Sequence, residues 1–284
     1  MFARRADGYH DLETIFQTVS LHDTITLAAT DDPEIALTID NPALPTDTHN
    51  LVRCAADALR GRFAVTKGAR IHLEKRIPIQ AGLGGGSADA AVSLIGLSRL
   101  WELPVTADEL HAIAASLGAD VPFFLGGGTA VGTGVGDRLQ QLPDAPEEFF
   151  LVLKPNANIS TAAAYEALDQ RSLTSKVDET ILSRSSRRTD FETDKLLLRN
   201  DFENVVFDLM PEIARAKTAL LSAGATGALL AGSGSATFGV FDSADAQRRA
   251  IQAIELEAGW RVFPCKTVRR DEYEAAFSSV SARA

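Results

Sequence analysis

The stretch Pro78-Ile79-Gln80-Ala81-Gly82-Leu83-Gly84-Gly85-Gly86-Ser87-Ala88-Asp89-Ala90-Ala91 decides how this chain is read, because it joins a strand pattern to a helix pattern. Ahead of it, Arg70-Ile71-His72-Leu73-Glu74 alternates as a half-buried strand, with Ile71 and Leu73 inward and His72 outward as a surface histidine. Behind it, Ala90, Leu94, Leu97 and Trp101 recur at i, i+4, i+7 and i+11, one apolar stripe of a helix. The glycines at 82, 84, 85 and 86 let the backbone turn its N–H groups toward one point with no Cβ in the way. The helix start adds unpaired amides and the positive end of its dipole, so the segment reads as a phosphate cradle. It is no Walker A loop, since GK[ST] is absent, and the dinucleotide fingerprint fails at Ser87.

Outward from this turn, composition narrows the class. The 284 residues are 45% hydrophobic and 23% charged, the profile of a globular chain with one large domain or two. Cys54 and Cys265 stand far apart without a CxxC or His pair, which supports neither a disulfide framework nor a thiolate zinc site; both read as buried thiols. A net charge of -10 disfavours broad nucleic-acid binding but not a phosphate-bearing small molecule, which a few backbone amides can hold. No apolar run is long enough for a membrane span and no secretory leader opens the chain, so the expected location is the cytoplasm.

Strand and helix patterns alternate without an internal repeat, which predicts an α+β protein. Thr24-Ile25-Thr26-Leu27 and Glu34-Ile35-Ala36-Leu37-Thr38-Ile39 read as a hairpin about Asp31-Asp32-Pro33. A helix is expected over Asn50 to Arg62, and another opens at Thr106, whose capping box includes Glu109, and ends near Gly118. Phe149-Phe150-Leu151-Val152-Leu153 is a continuous apolar strand behind the polar turn Pro143-Asp144-Ala145-Pro146, and the domain boundary is placed there: 1–148 and 149–284. Asp178 to Asp194 read as an exposed, solvated connection. Helices over Pro211–Ala223 and Ala244–Ala258, with strands around Leu229, at Thr237–Phe241 and at Arg261–Pro264, fit an α+β sandwich for the second half.

Two further segments carry candidate chemistry. In Leu117-Gly118-Ala119-Asp120-Val121-Pro122-Phe123-Phe124 a single carboxylate sits at a helix end among small and apolar residues; alone, Asp120 reads as an ordinary turn or cap aspartate. Ala231-Gly232-Ser233-Gly234-Ser235-Ala236-Thr237 reads equally as a plain turn and as a second small-residue loop beside a phosphate.

With these segments in view, the chain resembles the galactokinase, homoserine, mevalonate and phosphomevalonate kinase superfamily, Gly82–Ala91 matching its second motif and Gly232–Ser235 its third. More narrowly, Arg5-Ala6-Asp7-Gly8-Tyr9-His10-Asp11-Leu12, Gly118–Phe124, Gly134-Val135-Gly136-Asp137 and Asn200-Asp201-Phe202-Glu203 resemble the 4-diphosphocytidyl-2-C-methyl-D-erythritol kinase family, and the similarity runs from Arg5 to about Phe241. The resemblance implies a two-domain fold, the first like ribosomal protein S5 domain 2 and the second a ferredoxin-like sandwich, with the site in the cleft between them. It implies ATP-dependent phosphorylation of the substrate's 2-hydroxyl in the non-mevalonate route to isoprenoid precursors. Asp120 matches the carboxylate that accepts or orients the hydroxyl proton. Pro78, Gly82, Leu83, Gly84, Gly85, Gly86, Ser87 and Ala88 match the ATP loop, with Mg²⁺ on the phosphate oxygens and no protein ligand assigned to the metal. Tyr9 and His10 match the cytidine-recognition element, Tyr165 closes the other face of the pyrimidine by a looser alignment, and Gly232, Ser233 and Gly234 complete the substrate side. The expected partner is a small molecule carrying cytidine diphosphate, with neither nucleic acid nor membrane, and the protein is a monomer or weak homodimer.

The family pattern opens with a strand bearing a Lys and an Asn, whereas this sequence has four residues before Arg5 and no lysine matching that motif; Lys67, Lys75 and Lys154 stand in other contexts. Two readings are carried: a start assigned too far downstream, which the intact remaining motifs favour, and a paralogue that binds ligands and catalyses poorly. Another small-alcohol kinase of the superfamily is the rival within enzymes; such enzymes lack the RADGYH element.

Overall fold

The computed structural model describes residues 5, 8, 10–172 and 199–278. Two compact units emerge: residues 1–77, 84–144 and 268–284 form the first, and 78–83 with 145–267 the second. The expected single cut after residue 148 is therefore replaced by a discontinuous division. The reason lies in a helix at Arg270–Ser278, which sequence patterning did not anticipate. Its Tyr273 hydroxyl donates to the Phe124 carbonyl at 2.6 Å, and its Arg270 side chain lies against Gly128 in the first unit.

In the first unit, a three-stranded sheet is built from β1 (Thr14–Gln17), β5 (Thr129–Thr133) and β6 (Arg138–Gln141), with β5 central. A second sheet contains β2 (Thr24–Thr30), β3 (Ile35–Ile39) and β4 (Gly68–Glu74), in the order β2-β4-β3. The expected hairpin of β2 and β3 is thus corrected: both strands flank β4, β2 antiparallel and β3 parallel to it. Ala69, Ile71 and Leu73 of β4 are all at most 1% exposed, so the most buried strand takes the centre, where both its edges are paired. His72 points to solvent as expected, its Nδ1 2.9 Å from Thr38 Oγ1.

Against this sheet pack α1 (Leu51–Phe63) and α2 (Gly85–Leu100), with α3 (Ala107–Leu117) against both helices. Asn50 caps α1 through Oδ1, which accepts from the Val52 amide at 2.9 Å. The capping box of α3 forms as read, with Thr106 and Glu109 satisfying each other's backbone amides. The α2 stripe is buried along its length, and the Trp101 indole N–H beyond it reaches the Gly68 carbonyl at 3.2 Å. Leu94 and Leu97 are fully enclosed, so cutting either back to alanine costs about 2–5 kcal/mol. The short α4 (Phe123–Gly126) packs on α2 and is flanked by the last helix, α9 (Arg270–Ser278).

The second unit contains β7 (Phe149–Lys154), α5 (Thr161–Ser172), α6 (Glu203–Leu209), α7 (Pro211–Ser222), β8 (Gly227–Leu230), β9 (Thr237–Phe241), α8 (Ala244–Ala253) and β10 (Arg261–Lys266). The strands form an antiparallel sheet in the order β10-β7-β9-β8, and α7 and α8 pack on it. That strand order, with helices crossing after β7 and β9, is the ferredoxin-like arrangement. Helix α8 stops at Ala253, short of Ala258, because Ile254 turns to extended backbone and Gly259 adopts positive φ ahead of β10. Cys54 and Cys265 are both free; Cys265 is buried and Cys54 half-buried, its thiol directed at the Thr48 carbonyl. The segment Asp178 to Asp194 lies outside the described residues.

Candidate active site

The glycine turn divides at Leu83 between the two units, and its glycines serve different ends. In the second unit, a Cβ at Gly82, whose φ is +74°, would stand 1.9 Å from the Ala231 carbonyl oxygen. The amides of Ser235 and Ala236 bond the carbonyls of Gln80 and Ala81 at 3.1 and 3.2 Å, locking the two loops together. Gly82 is therefore required by loop packing. In the first unit, Gly84 has φ +66° and rests on the Phe124 ring, 2.8 Å from a would-be Cβ, while Gly85 abuts Ile77. Gly86 differs: it is exposed, and only Leu51 lies near, 3.8 Å from a would-be Cβ. Of the glycines read as clearing a path for an anion, Gly86 alone leaves open space.

Helix α2 opens without a side-chain cap and without an acidic residue in its first turn. Its first internal bond runs from the Ala88 amide to the Gly84 carbonyl at 2.9 Å, which leaves the amides of Gly85, Gly86 and Ser87 free of helical partners. Helix α3 shows the contrast: its first turn carries Asp108 and Glu109 and a full capping box. A bare start with positive dipole and a clear approach at Gly86 fits the phosphate groups of a nucleotide.

Asp120 lies in the turn between α3 and α4. The Gly84–Phe124 contact ties this turn to the start of α2, since Phe124 follows Asp120 by one helical turn. Gly136 keeps φ at +97°, and a Cβ there would come 3.8 Å from Asp120 Oδ1, so that side of the carboxylate stays uncrowded. No hydrogen bond to the carboxylate is found among the described residues. Desolvation by the surrounding protein raises its pKa above the ordinary carboxylate range. A carboxylate beside small residues, with no hydrogen-bond partner among the described residues, is placed to take or orient a proton.

His10 is half-buried in the first unit, in a segment anchored by the Leu12 amide bonding the Gly134 carbonyl at 2.8 Å and by Arg5 on Asp11 at 3.4 Å. Tyr9 lies outside the described residues. In the second unit, Gly232, Ser233 and Gly234 form the turn between β8 and β9, and Ser233 Oγ lies 3.0 Å from Thr161 Oγ1 at the start of α5. Tyr165 on α5 meets Phe202 edge-on, 4.9 Å between ring centroids, so its ring is partly engaged inside the unit.

Sequence reasoning missed the supports of this second loop. The Asn200 amide group donates to the Leu230 and Gly232 carbonyls at 2.9 and 2.6 Å, and Glu203 accepts from the Leu230 amide and from Lys217. The Asn200–Glu203 motif was the available signal. Lys154, 4% exposed, donates to the carbonyls of Pro155 and Ala157 and to Asn158, shaping the loop that leads into α5. Burial, with the Arg261 charge, lowers its pKa despite Glu212.

Residues 50–128 match the GHMP kinases N terminal domain and residues 185–258 the GHMP kinases C terminal domain. A 4-diphosphocytidyl-2-C-methyl-D-erythritol kinase of Syntrophotalea carbinolica is 40% identical over 94% of each chain, and one of Caldicellulosiruptor bescii 39% identical over 90% of this chain and 88% of its own. A crystal structure of 4-(cytidine 5'-diphospho)-2C-methyl-D-erythritol kinase superposes with a TM-score of 0.73 at 35% identity, covering 93% of this chain and 92% of its own. Homoserine kinase from Cytophaga hutchinsonii, at 20% identity, 87% coverage of both chains and a TM-score of 0.70, shares the fold. From the bare glycine-lined start of α2, the Asp120 turn held against it and these likenesses over most of each chain, the chain belongs to the 4-diphosphocytidyl-2-C-methyl-D-erythritol kinase family of the GHMP kinases.

Proposed function

We propose that this protein uses ATP to phosphorylate the 2-hydroxyl of 4-diphosphocytidyl-2-C-methyl-D-erythritol, a step toward isoprenoid precursors. The observation that carries this reading is the uncapped start of α2 held against the α4 turn that follows Asp120. When bound, ATP supplies the phosphoryl group and Mg²⁺ the countercharge on its oxygens. The amides of Gly85, Gly86 and Ser87 hold phosphate oxygens, and Pro78, Gly82, Leu83 and Ala88 shape the approach. Asp120 orients the substrate hydroxyl and accepts its proton as the oxygen bonds phosphorus and ADP departs. Mg²⁺ would sit on the phosphate oxygens, with no protein ligand assigned to it. His10 and Tyr165, with Tyr9, recognise cytidine, and Gly232, Ser233 and Gly234 contact the substrate's phosphates. A cytoplasmic setting suits soluble substrates of this kind; no helix among the described residues is long and apolar enough to cross a membrane.

A coupled ADP-release assay with the cytidine diphosphate substrate, homoserine and mevalonate tests the proposal. Turnover with the cytidine compound alone is expected. Turnover with either small alcohol instead would overturn the substrate assignment, and nucleotide binding without turnover of any of the three would support the paralogue reading.

A further inference from the structure

Three charged side chains that the reading above leaves unused meet beneath the glycine turn, all within the first unit. Lys75 follows β4, Asp89 lies in the second turn of α2, and Asp23 precedes β2. Lys75 Nζ donates to Asp89 Oδ2 at 2.7 Å and also to Asp23 Oδ2. The other Asp23 oxygen accepts from the backbone amides of Arg76 at 2.5 Å and Ile77 at 2.8 Å. The side chains of Lys75, Asp23 and Asp89 are 7%, 2% and 6% exposed. A Cβ at Gly85 would lie 3.5 Å from Lys75 Nζ, so the ammonium stands directly under the first residue of α2. Burial pushes the Asp89 carboxyl up to about 7 against the pull of Lys75. Burial also works to lower the Lys75 ammonium, but Asp89 and Asp23 outweigh it and hold it above its ordinary value.

For stability alone this is a poor device. Desolvation offsets much of the Coulomb attraction of a buried ion pair, and apolar residues of similar volume would serve as well. What the cluster adds is direction. Its hydrogen bonds grip residues 75–77, where the chain enters the turn, and residue 89, where it leaves, so both feet of the turn are tied to one point. Holding the ends of a flexible loop together costs entropy that the ligand must otherwise supply on binding.

We propose that Lys75, Asp23 and Asp89 are positioning residues: a buried clamp across the feet of the glycine turn that presets the amides of residues 85–87 for the phosphates. The nucleotide part of this proposal rests on the function proposed above; the clamp itself is measurable in the free protein. Hydrogen exchange on the full chain without nucleotide should show amides within residues 76–88 exchanging about tenfold or more faster in Lys75→Met and Asp89→Asn, with α3 and β7 unchanged. The same variants should bind ATP about tenfold more weakly while the KM for the cytidine diphosphate substrate stays within about twofold. Lys75→Arg, which keeps the charge, should recover part of both effects. Should Lys75→Met fail to fold, the isosteric Asp89→Asn carries the test. Unchanged exchange over 76–88 in a folded variant, or acceleration spread evenly through the first unit, overturns the clamp. Failure of ATP to protect residues 84–88 in the wild type would count against the nucleotide reading instead.

Discussion

Gly86→Ala separates a glycine kept for the fold from one kept for a ligand. Gly86 has ordinary helical backbone at the second position of α2, is exposed, and would bring its new methyl no nearer than 3.8 Å to Leu51. The protein itself has no need of glycine there. Alanine is favoured over glycine in a helix by up to about 0.5–1 kcal/mol, less near an end. At roughly 2–4 °C per kcal/mol for a chain of this size class, the unliganded melting temperature should rise by about 1–3 °C. The same methyl would stand over the amides that are to meet a phosphate. Losing one charge-assisted N–H bond, worth about 1.5–3 kcal/mol, weakens ATP binding by about tenfold to hundredfold. Calorimetric melting of the free protein and an equilibrium ATP titration read the two effects separately. Gly82→Ala is the control: with φ at +74° and its Cβ 1.9 Å from a backbone oxygen, it should lose stability by on the order of 1–3 kcal/mol or more. A Gly86→Ala protein that melts higher yet binds ATP as tightly as the wild type would refute the assignment of the phosphates to this helix start.

Asp120→Asn should lower kcat by roughly 10²–10⁴-fold with ATP affinity near that of the wild type, measured by steady-state kinetics and titration; equal loss of ATP affinity would make Asp120 a structural residue. The pKa of Asp89 is raised on folding, from 3.8 to about 7, so its protonated form stabilises the fold. That contribution is fully present below about pH 4 and is lost as pH rises toward 7; denaturant melts across this window should show Asp89→Asn losing less stability than the wild type. Tyr165→Ala should raise the KM for the cytidine substrate, by the equivalent of about 1–3 kcal/mol if its ring stacks on the base. A change confined to stability would leave Tyr165 as the partner of Phe202 only. Asn200→Ala frees two carbonyls of the Gly232 turn and should destabilise the second unit by about 1–3 kcal/mol, seen in denaturant unfolding.

Local chemistry was the legible part of the sequence. The strand Arg70–Glu74, the stripe from Ala90 to Trp101 and the Thr106–Glu109 capping box depend on neighbours within a turn or a pleat, and each forms where the pattern places it. Pairing was harder to read. The turn at Asp31-Asp32-Pro33 joins two good strands but cannot reveal that β4, thirty residues on, will slide between them. Helix α9 carried no anticipatory signal because its meaning comes from Gly127 and Gly128, far away in sequence, which leave room for Tyr273 and Arg270. The glycine run was legible as a turn, yet which glycine faces a ligand depends on Ala231, Phe124 and Ile77. Lys75 looked unplaced for the same reason: its partners at 23 and 89 meet only in three dimensions.

The return of α9 bears on how the nascent chain matures. Everything from 145 to 267 leaves the ribosome as one uninterrupted stretch apart from its short strip at 78–83, which has already emerged, so this part can fold as soon as it is made. The portion translated first must wait for Tyr273 to arrive before its Gly127–Gly128 bend is covered. Synthesis order and order of completion are thereby inverted, and ribosome-bound chains carrying residues 1–267 followed by a linker long enough to clear the exit tunnel should resist protease across the β7–β10 sheet while remaining cleavable in the first unit.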